Sequence, residues 1–232
     1  SLLLIIFLVI CLVLAIMAIS TLIFYLPIQF KMVATANIFT FRLIWTIIIY
    51  LVTFVIGVIA QVLIINTLIN PNYNLKNNLK TIKTHFWQFL LLTIINNFLF
   101  ILATIPIYVG LIMFVLNSLV IGLISLLIGL IMIIFITSYL IFSPFSLIEN
   151  KSSAIKAIKE SFSVTEKNVL SVVVNVIILA IILVIFNIIS ILALEIPYLG
   201  LPLGILVYII LIYFIFIYLF SMYKTFNKIN HE

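Results

Sequence analysis

A chain of 232 residues has the length of one or two soluble domains, but 67% of it is hydrophobic, only 7% is charged, and its mean hydropathy is +1.54. That leaves too little polar surface for an ordinary soluble fold. The net charge of +6 comes from Lys and Arg lying almost wholly between apolar runs, an arrangement that suits a lipid surface and excludes a nucleic-acid-binding patch.

A spanning helix needs about 20 apolar residues to cross ~30 Å of hydrocarbon, and that ruler predicts six spans in a single integral membrane domain. The expected fold is all-α, a polytopic transmembrane helix bundle of about six spans arranged as three hairpins, with cytoplasmic amphipathic surface helices. The first span is expected over Leu2 to Leu26, closed by Pro27. The chain starts at Ser1 and enters apolar sequence with no basic region, so a signal peptide is not expected and a truncated N-terminus is. Cys11, the single cysteine, lies in this run, and no disulfide can form within the chain. The second span is expected over Leu43 to Ile69, before a turn at Asn70-Pro71-Asn72.

Over 74–86, Leu75, Leu79, Ile82 and Phe86 recur on one helical face, with Lys76, Lys80 and Lys83 beside them. A basic amphipathic helix of this kind is expected to lie among headgroups, its ammonium groups on anionic lipid. The third span is expected over Trp87 to Ile105, ending at Pro106. The apolar run that follows is too long for one untilted crossing. Asn117-Ser118 is the natural interruption, giving a short segment from Ile107 and a fourth span over Asn117 to Phe142. Within it Ser118, Gly122, Ser125 and Gly129 share one stripe, which reads as a helix-packing seam.

Pro144 to Lys167 is the longest polar interval, and Ile155, Ile158 and Phe162 form an apolar face beside Lys156 and Lys159. A surface helix is expected over 153–162, followed by a capping box, Ser163 to Glu166, opening the fifth span over Lys167 to Glu195. The sixth is expected over Leu203 to Tyr223. Leu79 to Phe86 overlays Ile155 to Phe162 with Lys, Ile, Lys and Phe identical in place, which reads as a repeated unit of surface helix and hairpin.

With the first span starting in the cytoplasm, nine Lys fall on cytoplasmic segments, against Lys31 and Arg42 outside. The positive-inside rule then places both termini in the cytoplasm of a plasma membrane protein. It also puts the Asn150-Lys-Ser152 sequon where glycosylation does not reach it.

No constellation for catalysis is visible. Asp is absent, which rules out a Ser/His/Asp set; His85 and His231 have no second ligand at metal-binding spacing; and no glycine-rich phosphate loop is present. Neither an enzyme nor a cofactor is expected. Asn96, Asn97, Asn175 and Glu195 are the candidate intramembrane polar residues; Gln61, Asn66 and Asn187 are also polar within spans. Amides in such positions more often join helices than line a pathway. Trp45, Trp87, Tyr139 and Tyr198 read as interfacial anchors.

Pro144, Glu149, Ala157-Ile158-Lys159 with Ser161, and Asn168 carry a resemblance. In these positions the chain resembles a large, uncharacterised group of prokaryotic six-helix membrane proteins related to the glycerophosphoryl diester phosphodiesterase membrane domain. Lys167 departs from the pattern, standing where Gly is common. The resemblance implies a fold and a location, and no activity. The function expected first is therefore a non-enzymatic membrane anchor, scaffold or accessory domain in lipid or envelope handling. Its partners would be the lipid bilayer, anionic headgroups at the cytoplasmic face through Lys76, Lys80, Lys83, Lys156 and Lys159, and a protein. The second reading is a small-solute transporter or channel subunit built from repeated hairpins.

Overall fold

The computed structural model describes residues 35–70, 75–194 and 200–228. Every element among them is a helix: α1 (Thr35–Ile69), α2 (Leu75–Val115), α3 (Leu119–Leu140), α4 (Ser143–Glu149), α5 (Ala154–Glu166), α6 (Val169–Leu194) and α7 (Gly200–Lys228). Among the described residues, five stretches are long and apolar enough to cross a membrane: Leu43–Ile69, Lys80–Val115, Leu119–Glu149, Val169–Leu192 and Leu203–Asn227. The expected first span, Leu2 to Leu26, lies outside the described residues. Large apolar side chains stand exposed along the helices, including Leu127, Ile131, Ile181, Ile185 and Leu192. Apolar exposure on this scale needs lipid, because within hydrocarbon a helix satisfies its own backbone and loses nothing by showing apolar side chains.

The chain divides into two units, Ser1–Phe86 and Trp87–Glu232. In the first, α1 buries Val58, Val62 and Ile65, three positions on one helical stripe. It stops at Asn70, whose N–H closes on the Asn66 carbonyl at 2.9 Å; Pro71 keeps the residue before it out of the helix. Of the expected turn only Asn70 is described; Pro71 and Asn72 lie outside the described residues.

The Lys-rich stretch 74–86 is not a separate surface helix but the first turns of α2. Nothing between Phe86 and Trp87 breaks a helix, and the Thr84 hydroxyl folds back onto the carbonyls of Lys80 and Thr81. Nor does α2 stop at Pro106, which sits inside it. A proline removes one N–H and crowds the preceding turn, but in a spanning helix the low polarity of the surroundings keeps the remaining backbone bonds closed.

The helix ends instead at the Asn117 interruption. Asn117 takes φ 58°, its N–H reaches the Phe114 carbonyl at 3.0 Å, and the Ser118 N–H reaches Met113 at 2.9 Å. This is a Schellman ending, and Asn tolerates the left-handed backbone it requires.

In the second unit the Gly stripe is a packing seam, as its spacing predicts. Gly110 of α2 and Gly122 of α3 face each other so closely that a Cβ at Gly110 would stand 2.9 Å from the Gly122 carbonyl oxygen. A Cβ at Gly129 would stand 3.0 Å from the Ile107 backbone nitrogen. Beyond the seam, α3 packs on α5 and α6, α4 on α5, and α6 along α7.

Gly110→Val forces the two backbones apart and is expected to cost about 1–3 kcal/mol in detergent-solubilised protein. Gly57→Ala, where a Cβ meets nothing within 4 Å, is expected to be neutral or stabilising by about 0.5–1 kcal/mol. Thermal unfolding of both variants checks the pair.

Candidate functional site: a polar cradle around α5

The site begins with a backbone deficit. The last four carbonyls of a helix have no partner within it, and Pro144 has no N–H to return to Leu140. At the end of α3 each of the four finds a donor. The Thr137 carbonyl accepts from the Ile141 N–H at 3.0 Å. The Leu140 carbonyl accepts from the Ser143 hydroxyl at 2.6 Å. The other two are reached from α5, where Thr165 donates to the Ser138 carbonyl at 3.0 Å and Ser161 to the Tyr139 carbonyl at 2.6 Å. At its other end α5 is held by α2, whose Gln88 side-chain oxygen accepts from the Ala154 N–H at 3.0 Å. Ser153, at the N-cap position, makes no side-chain cap of its own.

These bonds decide which face of α5 is buried. At about 100° per residue, Ala154, Ala157, Ser161, Val164 and Thr165 form one sector, and all are buried. Small and hydroxyl side chains let the helix lie close on α3. Ile155 and Phe162 form a second sector with Ile158; Ile155 and Phe162 are exposed, and Phe162 lies 4.8 Å from the Tyr139 ring between centroids. Lys156, Lys159, Ser163 and Glu166 make a third, exposed sector.

The expected capping box is absent because Ser163 and Glu166 lie in the last turns of α5. Asn168 does the work instead: its carbonyl accepts the first bond of α6 from the Val172 N–H, and its amide donates to the Val164 carbonyl at 3.3 Å.

Beside α5, acidic and basic groups converge from three elements. Between α4 and α5 the chain turns through Lys151 at φ 49°, and the Ser152 N–H returns to the Leu147 carbonyl. The turn lays Asn150 against Glu160, whose Oε2 accepts from the Asn150 amide at 2.9 Å and also from the Ser146 hydroxyl. The second acid, Glu149, pairs with Lys224 of α7, and the Lys224 ammonium lies 5.6 Å from the centre of the Phe220 ring. Beneath them Phe142 and Phe145 pack on Tyr223, at 6.0 and 5.7 Å between centroids. A cavity of about 340 Å³ opens here, lined by Ser146, Asn150, Glu160, Ser163, Tyr223 and Asn227, with Val164 and Lys167 completing its wall.

The sequence-derived candidates do not meet at one place. Lys80, Lys83, Lys156 and Lys159 are exposed, the first two on α2 and the others on α5, and Lys76 also lies in α2. Asn96 donates to the Ser143 hydroxyl at 3.3 Å, joining α2 to the proline break. Asn97, beside it, is exposed. Asn175 accepts from the Tyr218 hydroxyl, and Asn187 from the Tyr208 hydroxyl at 3.4 Å, two rungs between α6 and α7. Glu195 lies outside the described residues, as do Tyr198 and His231. Among the described residues no group of three or more His, Cys, Asp or Glu stands where it could hold a metal ion.

The residues that build the cradle, Gln88, Ser146, Glu160, Tyr223 and Lys224, carry no spacing signal. Ser146 meets Glu160 across 14 positions, Gln88 meets Ala154 across 66, and Lys224 meets Glu149 across 75. Only the proline four residues beyond the end of α3 announces that carbonyls there need donors.

Thr165→Val keeps the shape of the side chain but leaves the Ser138 carbonyl without its donor. It is expected to cost about 1–3 kcal/mol and to speed hydrogen exchange along α5, read by mass spectrometry. Asn175→Leu removes one rung between α6 and α7 and is expected to cost about 0.6–1.7 kcal/mol, read by unfolding in detergent.

Comparison with known proteins returns no match, since no family model, no curated protein and no solved structure corresponds to this chain.

Proposed function

We propose that this chain is a non-enzymatic integral membrane domain that anchors, scaffolds or modulates a partner in lipid or envelope handling, with α5 as its recognition surface. The observation that carries the reading is the three-sector character of α5. A helix fastened through small residues and hydroxyls presents Ile155 and Phe162 on one side and Lys156 and Lys159 on the next. Exposed apolar side chains flanked by lysines suit the boundary between acyl chains and anionic headgroups.

In this reading the protein crosses the plasma membrane six times, with both ends and the Lys-rich segments in the cytoplasm, as the charge asymmetry between its polar intervals favours. The resemblance to six-helix prokaryotic membrane proteins in Pro144, Glu149, Ser161 and Asn168 supports the same layout. Three of those residues have structural work here: Pro144 opens the carbonyls of α3, Ser161 closes one of them, and Asn168 starts α6.

The competing proposal, a solute pathway through Asn96, Asn97, Asn175 and Glu195, draws less support. Asn96 and Asn175 spend hydrogen-bonding capacity on neighbouring helices, which favours packing over transport.

The test uses the full chain in nanodiscs. Replacing Lys156 and Lys159 together by Gln is expected to lower retention of phosphatidylglycerol by roughly thirtyfold at low salt, about 1 kcal/mol being attached to each lysine near an anionic surface. Native mass spectrometry reads the retained lipid, and unchanged retention counts against a lipid-facing α5.

A further inference from the structure

We propose that the cavity beside α5 is a binding site for a phosphodiester carrying a primary ammonium, the headgroup chemistry of phosphatidylethanolamine. The inference rests on the membrane reading above and adds a ligand to it.

The cavity's charge distribution selects this chemistry. Glu160 is positioned but not neutralised. Its Oε2 is held by the neutral donors Ser146 and Asn150, and the closest cation to its Oε1 is Lys156 at 3.9 Å, with 68% of that side chain exposed. A pair so open to solvent offsets little of the carboxylate's charge. The neighbouring Glu149 spends its charge on Lys224, so Lys224 is engaged elsewhere. A ligand ammonium placed on Glu160 would gain charge-assisted hydrogen bonds.

The complementary charge lies further along the same helical strip. Ser163 and Lys167 follow Glu160 at i+3 and i+7, on one side of the helix and within about 10 Å of axial rise. Both line the cavity, both are exposed, and among the described residues neither has a protein partner. A hydroxyl and a lysine ammonium form a natural seat for a phosphate.

The cavity has the volume of a small-ligand site and a polar lining suited to a polar occupant. It also stands at the correct height. Ser146 falls near the end of the candidate span Leu119–Glu149, and Tyr223 and Asn227 fall in the last turns of Leu203–Asn227. That is where headgroups meet the ends of spanning helices. A choline headgroup offers no N–H to Glu160, and a glycerol headgroup offers no cation, so both should be rejected.

The experiment takes the full chain from carbonate-washed membranes into mild detergent and offers phosphatidylethanolamine, phosphatidylcholine and phosphatidylglycerol in equal amounts. At a salt concentration that screens the exposed lysines of α5, native mass spectrometry should show the ethanolamine lipid retained about tenfold over the other two. Glu160→Gln keeps an acceptor for Ser146 and Asn150 but removes the charge, and should erase the preference. Glu166→Gln removes the same charge at an exposed position outside the cavity and should leave it intact. Should Glu160→Gln lose helical circular dichroism, Lys167→Gln at an exposed position decides, with an expected severalfold loss.

Displacement of the lipid by soluble glycerophosphoethanolamine would assign the site to a free phosphodiester, and its failure to displace would assign it to the bilayer lipid. Equal retention of the three lipids, a preference surviving in a folded Glu160→Gln protein, or phosphatidylethanolamine retention unchanged in Lys167→Gln overturns the proposal. Release of the protein by the carbonate wash would instead overturn the membrane reading, before any lipid is compared.

Discussion

An unpaired carbonyl in surroundings without water costs several kcal/mol, and the end of α3 has more of them exposed to that risk than a helix end normally does. Pro144 withholds one N–H, and the chain turns immediately afterwards. The deficit is met by hydroxyls from Ser143, Ser161 and Thr165. Two of these belong to α5, so α5 is held at that spot and in that rotation. Its position in turn sets the Glu160 carboxylate beside Ser146 and Asn150. A polar surface site thus descends from a backbone requirement inside a greasy helix.

The same economy appears in how α5 divides its surface. Ala154, Ala157 and Ser161 bring it close to α3, leaving Ile155 exposed and Phe162 covered only in part, by the Tyr139 ring. In a soluble protein, exposed Ile155 and Phe162 on a helix with two lysines would be a liability. At a bilayer boundary they complete the helix, because the headgroup layer accepts apolar and basic side chains a few ångströms apart.

How much of this was legible in the amino-acid order depends on the range of the interaction. Apolar length located the spans from Leu43 onward, since a run of some 20 apolar residues has few other stable uses. The Gly122 and Gly129 seam was legible from spacing, and Asn117 as the break from its polarity in an apolar run. Pro106 and the stretch before Trp87 misled for different reasons. Propensity rules describe helices in water, whereas at Pro106 the low polarity of the surroundings holds the backbone bonds, and before Trp87 no residue breaks the helix. The Ser163 to Glu166 pattern misled differently, a cap motif lying inside a helix that the hydroxyls of Ser161 and Thr165 had already committed. The cradle itself was not legible. Glu149 with Lys224, and Gln88 with Ala154, meet only through the fold.

The two rungs between α6 and α7 have a consequence for how that hairpin moves. Asn175 to Tyr218 and Asn187 to Tyr208 run in opposite chain order, as they must in antiparallel helices. The spacing is 12 residues on one helix and 10 on the other, so the rungs sit at two separate heights. Sliding one helix past its neighbour by a single turn, about 5.4 Å, breaks both together, and the apolar side chains around them supply no substitute donor. Apolar contacts alone would let the hairpin slip through many registers of similar energy. Two distant rungs act as a pair of dowels, turning a greasy interface that tolerates sliding into one with a single seat.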